Sequence, residues 1–289
     1  MPRAADDEDD DEKEDERGAS TSTDSGTPRH TRRQNRDSGA DTGGDAGPDD
    51  EDEGDDETDD EEDTAYELGV EAAAESRLVW RGLAESRGAV LQSSGWAGVY
   101  GLNVEGWASY VLNSEGSFGP MSVVGGDLTG SYTLSLGNLR FRPAISVLYF
   151  PEGLSSSSTA EASLGVSYRL GDFRIVSGTN VDVGIEPGAY FGTLGLTWGR
   201  ARPPWTVKAL AEVGWATAEY NHEYFGKDLA AVDVVHGGVS TRYDVGSVLY
   251  LELHVDVSGL VAPTLAGSVQ EPVLLVGGAA VGLDWSVGR

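Results

Sequence analysis

An antiparallel transmembrane β-barrel of about twelve strands is the fold this sequence predicts, and three observations predict it. From Tyr66 onward, apolar residues recur at alternate positions through one run after another. That is the signature of a strand with one apolar and one polar face. The runs are joined by short and longer connections in alternation, as in an up-and-down barrel of the outer-membrane type. Charges of both signs sit on the polar faces, and the middles of the apolar faces carry none.

The alternation begins only after a different kind of polymer has ended. Residues 1–63 hold 27 acidic and 7 basic residues, including the blocks Asp6–Glu16 and Asp49–Asp63, with no aromatic residue and no Val, Ile or Leu. Such a segment cannot bury enough apolar surface to offset the entropy of ordering, so a disordered acidic tail is expected over 1–63. Its Asp/Glu runs are suited to loose binding of cations or of a basic partner, although nothing in it has the spacing of an EF-hand loop. The barrel is expected over 64–289.

Within that segment the elements follow in order. Runs are centred near residues 73, 95 and 107, then at 131, where Leu128, Gly130, Tyr132, Leu134 and Leu136 oppose Asp127, Thr129, Ser131 and Thr133. After the turn Gly137-Asn138, Leu139, Phe141, Ile145, Val147 and Tyr149 oppose Arg140 and Arg142. Ala160 to Leu170 opposes Glu161 and Arg169; Trp205 to Trp215 opposes Lys208 and Glu212; Leu249 to Val257 opposes Glu252, His254 and Asp256. Further runs lie near 178, 194 and 237, and the last spans Val273 to Val287. Short connections fall at Gly101, Gly137-Asn138, Gly171-Asp172, 200–204 and 244–247. Longer ones fall at 84–88, 113–125, 151–158, 182–188, 216–230 and 259–271. No helix is expected after about residue 90.

Alternation alone does not say which face points outward, because a lipocalin-like soluble barrel alternates too. Tyr149, Tyr168, Trp198, Trp205, Trp215, Tyr243 and Trp285 cluster at the ends of the apolar faces, where amphipathic rings suit the two interfaces of a bilayer. The apolar face is therefore expected to meet lipid. The lumen-facing charged candidates are then Glu105, Asp127, Arg140, Arg142, Glu161, Arg169, Lys208, Glu212, Arg242, Glu252, His254 and Asp256.

Composition removes several alternatives. The absence of Cys excludes disulfides, thiolate zinc sites, iron–sulfur clusters and a Cys nucleophile. A formal net charge of −29 argues against nucleic acid as a partner. No apolar stretch reaches the roughly 20 residues of a membrane-spanning helix.

Four stretches carry a family likeness. Ser76-Arg77-Leu78-Val79-Trp80-Arg81-Gly82, followed by Val90-Leu91-Gln92 and Val104-Glu105-Gly106-Trp107-Ala108, resembles the opening strands of the TorF-like porin family of short Gram-negative outer-membrane barrels. The stretch from Gly214 to Gly226 is similar to the aromatic loop of that class and to a loop of the MltA-interacting OmpV-like barrels. The resemblance implies a bacterial outer-membrane location, outer-membrane lipid as the surrounding partner, and passage of small polar solutes. Family members begin with a cleavable leader and end in an aromatic residue, whereas Met1 to Asp10 has no leader pattern and the last residues are Trp285-Ser286-Val287-Gly288-Arg289. A start assigned downstream of the true one would account for the first departure.

The sequence carries little that suits catalysis. None of the four histidines belongs to a His-x-Ser pair of the kind carried by lipid-acting barrel hydrolases, and no Gly-x-Ser-x-Gly elbow or phosphate-binding loop occurs. Glu252, His254 and Asp256 share one face and would suit a metal or a general base. Pairing with Arg140, Arg142, Arg169 or Arg242 across the lumen is the plainer expectation. Arg81 is either an anion contact at the pore mouth or a donor to carbonyls where strand one ends. No catalytic residue, cofactor or metal is expected. The function expected is a narrow porin-like channel for small polar solutes or a structural surface barrel. The alternatives are a barrel enzyme acting on lipid or envelope substrates and a soluble lipocalin-like binding barrel.

Overall fold

The computed structural model describes residues 64–113, 119–149 and 158–288. The tail expected over 1–63 lies outside the described residues, as do parts of the loops expected over 113–125 and 151–158.

The chain opens with β1 (Thr64–Glu75), followed by a small hairpin of β2 (Val79–Trp80) and β3 (Leu83–Ala84). Then come β4 (Val90–Val99), β5 (Leu102–Val111) and β6 (Val123–Tyr132), which the short β7 (Leu134–Leu136) prolongs. They are followed by β8 (Leu139–Tyr149), β9 (Ser158–Leu170), β10 (Phe173–Asp182) and β11 (Tyr190–Arg202). The last are β12 (Trp205–Ala216), β13 (Ala231–Val245), β14 (Leu249–Leu260) and β15 (Val273–Gly288). With β7 counted as part of β6, and β2 and β3 set apart, twelve antiparallel strands form the wall. β6 pairs with β8, and β1 pairs with β15, Val70 facing Leu283, so the sheet closes on itself. Closure leaves no unpaired edge, which a bilayer demands because lipid offers backbone groups no hydrogen bonds.

The faces point as the alternation predicts. Leu253, Ile145 and Leu275 are 60%, 62% and 65% exposed on the outside, while Glu71, Gln92, Thr129, Glu161 and His254 are buried within. A soluble barrel would reverse these positions, since water on the outside would reward the polar face. The chain is a transmembrane β-barrel.

The two rims differ. Thr64 and Gly288 are register partners at one rim, which also carries tight turns such as Tyr100-Gly101, whose φ angles of 48° and 85° fit a two-residue hairpin loop. Outward-facing Tyr66, Tyr132, Tyr168, Trp205, Tyr243 and Trp285 ring that rim, and Tyr149 and Trp215 stand near the other.

Two expectations are corrected at the loop rim. The first strand was expected to run on toward Arg81, but it ends at Glu75; the residues beyond it turn inward and pair as the β2–β3 hairpin. Leu78, Trp80 and Leu83 are buried, so their apolar pattern serves packing inside the mouth rather than a lipid face. The 216–230 connection, expected to lack a helix, contains α1 (Ala218–Phe225). Its signals are local: Thr217 caps the N-terminus by accepting from the Tyr220 amide, Glu219 lies in the first turn, and Gly226 ends the helix at φ 63°. A one-turn α2 (Pro263–Ala266) sits in the next loop.

Candidate functional site

Inside the loop rim, the hairpin tip and α1 build an aromatic closure. Arg81 and Gly82 are the two tip residues, at φ 45° and 87°, a conformation that glycine accepts readily and arginine rarely. The turn carries Arg81 into a cage. Its guanidinium carbon lies 4.4 Å from the Trp80 ring centre and 4.7 Å from that of Phe191. Trp80 meets Tyr224 edge-on at 4.9 Å, and Tyr224 lies 4.3 Å from Tyr220. Leu83, Ala189, Ala216, Val234 and Leu260 complete this buried cluster.

The cage contains a buried ion pair. Arg81 donates to both carboxylate oxygens of Glu161, at 3.0 and 2.8 Å, and to the Tyr220 hydroxyl at 3.2 Å. Burial alone would lower the guanidinium pKa; Glu161 and the tyrosines outweigh it, and the net shift is upward. Burial pushes the Tyr220 hydroxyl above its ordinary value, so it stays neutral at physiological pH. Neither expectation for Arg81 describes this arrangement, because its partner is a side-chain carboxylate from the barrel wall rather than a solute or terminal carbonyls.

Beneath the closure lies a cavity of about 240 Å³, whose mixed lining includes Glu75, Arg142, Lys208, Glu212, Glu252 and His254 beside apolar side chains. All twelve lumen-facing candidates occupy inner-face positions of their strands. Six of them border this cavity: Arg142, Lys208, Glu212, Glu252, His254 and Asp256. Glu105 on β5 and Asp127 on β6 lie away from it, and Glu161 is taken up by Arg81. Arg140 and Arg169 lie near the turn rim, and Arg242 donates to Asp244 at 2.6 Å and lies 3.5 Å from Asp284.

His254 is the second correction among the site residues. Its Nε2 is 2.7 Å from Glu75 Oε2, with Asp256 at 3.6 Å, so its nearest ionic partner is a carboxylate of β1 and not an arginine across the lumen. Among the described residues no group of three or more His, Asp or Glu side chains is arranged to hold a metal ion.

Several residues escaped sequence reasoning. Glu67, Glu71 and Glu75 occupy alternate inward positions of β1, between outward Tyr66, Leu68, Val70, Ala72 and Ala74, a period-two signal that was available. Tyr250 gave no signal, because an aromatic residue at an inner position reads as an interruption of the pattern; Tyr220 lies in the aromatic stretch 214–226, where the loop from Tyr220 to Lys227 reads equally as a plug, a substrate contact or an interfacial anchor.

No family model matches the chain, and no curated protein sequence does. Solved structures do. The KdgM porin is 11% identical over 76% of this chain and 99% of its own, with a TM-score of 0.46. The NanC porin is 10% identical over 76% and 100%, with a TM-score of 0.45. An outer-membrane channel from Pseudomonas putida F1 is 10% identical over 77% and 96%, also at 0.45.

Proposed function

We propose that this protein is a bacterial outer-membrane barrel that forms a narrow channel for small polar solutes, with its loop-side mouth closed in the present state by the β2–β3 hairpin and α1. The observation that carries this reading is the lumen: a cavity of about 240 Å³ edged by Arg142 and Lys208 as well as Glu75, Glu212 and Glu252. A barrel serving only as a structural element has no need of a cavity edged by charged side chains, and small barrels fill their interiors with side chains. The TorF-like resemblance of Ser76 to Gly82 supports the same reading, because that stretch forms the hairpin at the mouth.

The closure favours one second reading, a barrel that does not conduct and acts at the surface. Planar-bilayer conductance of the full chain, beside a heat-modifiability gel in detergent, separates the two. Discrete conductance steps together with a heat-dependent mobility shift support the channel; a shift with no conductance, even after the hairpin is released, overturns it.

A further inference from the structure

Among the described residues, the charged side chains of the wall strands point inward with two exceptions. Arg200 and Arg202 stand on the outer face of β11, where Val207 and Trp205 are their register partners, and both are exposed. They occupy the next two outer positions after Trp198 toward the turn rim, so the three side chains follow one another at about 6.6 Å along the strand.

Their surroundings are those of a bilayer interface. β10 begins at Phe173, the register partner of Trp198, and β11 continues four residues beyond that pair to Arg202. Both arginines therefore stand where the neighbouring strand has already ended. On the other side Trp205 packs on Tyr243 at 4.8 Å, two rings of the girdle at this rim. Arg202 is level with Trp205, and interfacial aromatic rings sit at the depth of the lipid headgroups.

No protein group neutralises the two cations. Neither has an ion-pair partner among the described residues, and no Asp or Glu of a described wall strand faces outward beside them. At headgroup depth the anion within reach is a lipid phosphodiester, whose oxygens match the planar donor fork of arginine. The chain's formal net charge of −29 gives it no general attraction for anionic lipid, so a preference for such a lipid must come from a local site.

We propose that Arg200 and Arg202, flanked by Trp205 and Tyr243, bind the headgroup phosphate of an anionic phospholipid in the turn-side leaflet. The two guanidinium groups donate to the phosphate oxygens, and Trp198 and Phe173 lie on the side toward the hydrocarbon, where the acyl chains run. The site does not require the lumen to conduct.

The full-length protein in neutral detergent is offered equal amounts of phosphatidylglycerol and phosphatidylcholine with the same acyl chains, and the lipids retained are counted by native mass spectrometry. An arginine near an anionic lipid surface contributes about fivefold in association, so two contribute about 30-fold. We expect one phosphatidylglycerol to be retained in preference by about that factor. Arg200→Gln and Arg202→Gln should each reduce the preference about fivefold and together abolish it, with the heat-modifiable band kept; the single variants keep the test open if the double one fails to fold. Arg77→Gln/Arg87→Gln removes the same charge at the loop rim, where Glu271 and Gln270 hold these arginines, and should leave the preference unchanged. Excess inorganic phosphate should not displace the lipid, because the acyl chains hold it to the apolar face. Equal retention of the two lipids, a preference that survives both glutamine substitutions, a loss matched by the loop-rim variant, or full displacement by inorganic phosphate would each overturn the proposal.

Discussion

Tyr250 donates its hydroxyl proton to Glu71 at 2.7 Å across an entire intervening strand. The strand between them is β15, and the residue there that is the register partner of both is Gly282. The same construction recurs one turn of the pleat pattern away, where His254 reaches Glu75 over Gly278. It recurs again on the other side of β1, where Asn103 donates to Glu67 over Gly98. All three inward glutamates of β1 are therefore held by a side chain two strands away, each passing over a glycine. β1 is where the sheet closes on β15, so these struts brace the seam.

Tyr250→Phe keeps the ring and removes only the hydroxyl. A hydrogen bond to a charged group contributes about 1.5–3 kcal/mol, and Glu71 would be left buried with one donor fewer. The unfolding midpoint in detergent, followed by loss of heat modifiability, should fall accordingly. Tyr168→Phe, on the outer face, should leave it nearly unchanged.

Gly282→Ala tests the same strut from beneath. A Cβ at that position would run into the Tyr250 ring, so the ring must lift and its bond to Glu71 must break. Overpacking of this kind costs about 1–3 kcal/mol. Because both substitutions act on one contact, the double variant Gly282→Ala/Tyr250→Phe should lose less than the two single losses added. Strict additivity in a double-mutant cycle would show that the glycine does not serve the tyrosine.

The wall of the barrel was legible in the sequence because a strand between lipid and a polar lumen must alternate; Leu139 to Tyr149 declares its two faces in every residue. The expected strand centres all fall in wall strands of the structure, and the outward direction follows from where Tyr149, Trp205 and Trp285 lie. The closure was not legible. Leu78 and Trp80 alternate as a lipid-facing strand would, and only the pairing of β2 with β3 inside the mouth shows which environment they meet. The partners of Arg81 and His254 were hidden for a different reason: Glu161 is 80 residues from the one and Glu75 is 179 from the other, and strand alternation fixes a residue's face but not its neighbour across the lumen.

Arg81→Ala should release the hairpin without opening the wall. Removing one partner of a buried ion pair leaves the other uncompensated, a loss of about 3–5 kcal/mol. Here that loss falls on the hairpin, because Arg81 belongs to no wall strand. The expected result is faster proteolysis between residues 76 and 89 and larger or more frequent conductance steps, with the heat-modifiable band retained. Glu161→Gln should act in the same direction. The apolar double variant Arg81→Met/Glu161→Leu should restore much of the closure, because no buried charge is then left alone. A closure that survives Arg81→Ala intact would mean that the aromatic cluster of Trp80, Tyr220 and Tyr224 holds the hairpin unaided.

Leu253→Arg separates a lipid-facing surface from a water-facing one. Leu253 lies near the middle of β14, on the outer face and 60% exposed. An arginine facing lipid near the bilayer midplane costs about 2–4 kcal/mol. The variant should therefore fold into detergent or lipid with a lower unfolding midpoint and a reduced folded fraction. Ser240→Arg, the neighbour across the β13–β14 ladder from His254, places the same side chain on the inner face, where polar groups line the cavity. It should be tolerated far better. In a soluble barrel the order would invert, since an exposed leucine exchanged for arginine would improve solubility at no folding cost while an inner arginine would disrupt the core. Measured side by side, the two variants distinguish these surfaces by the sign of their difference, which does not depend on the absolute stability of the barrel.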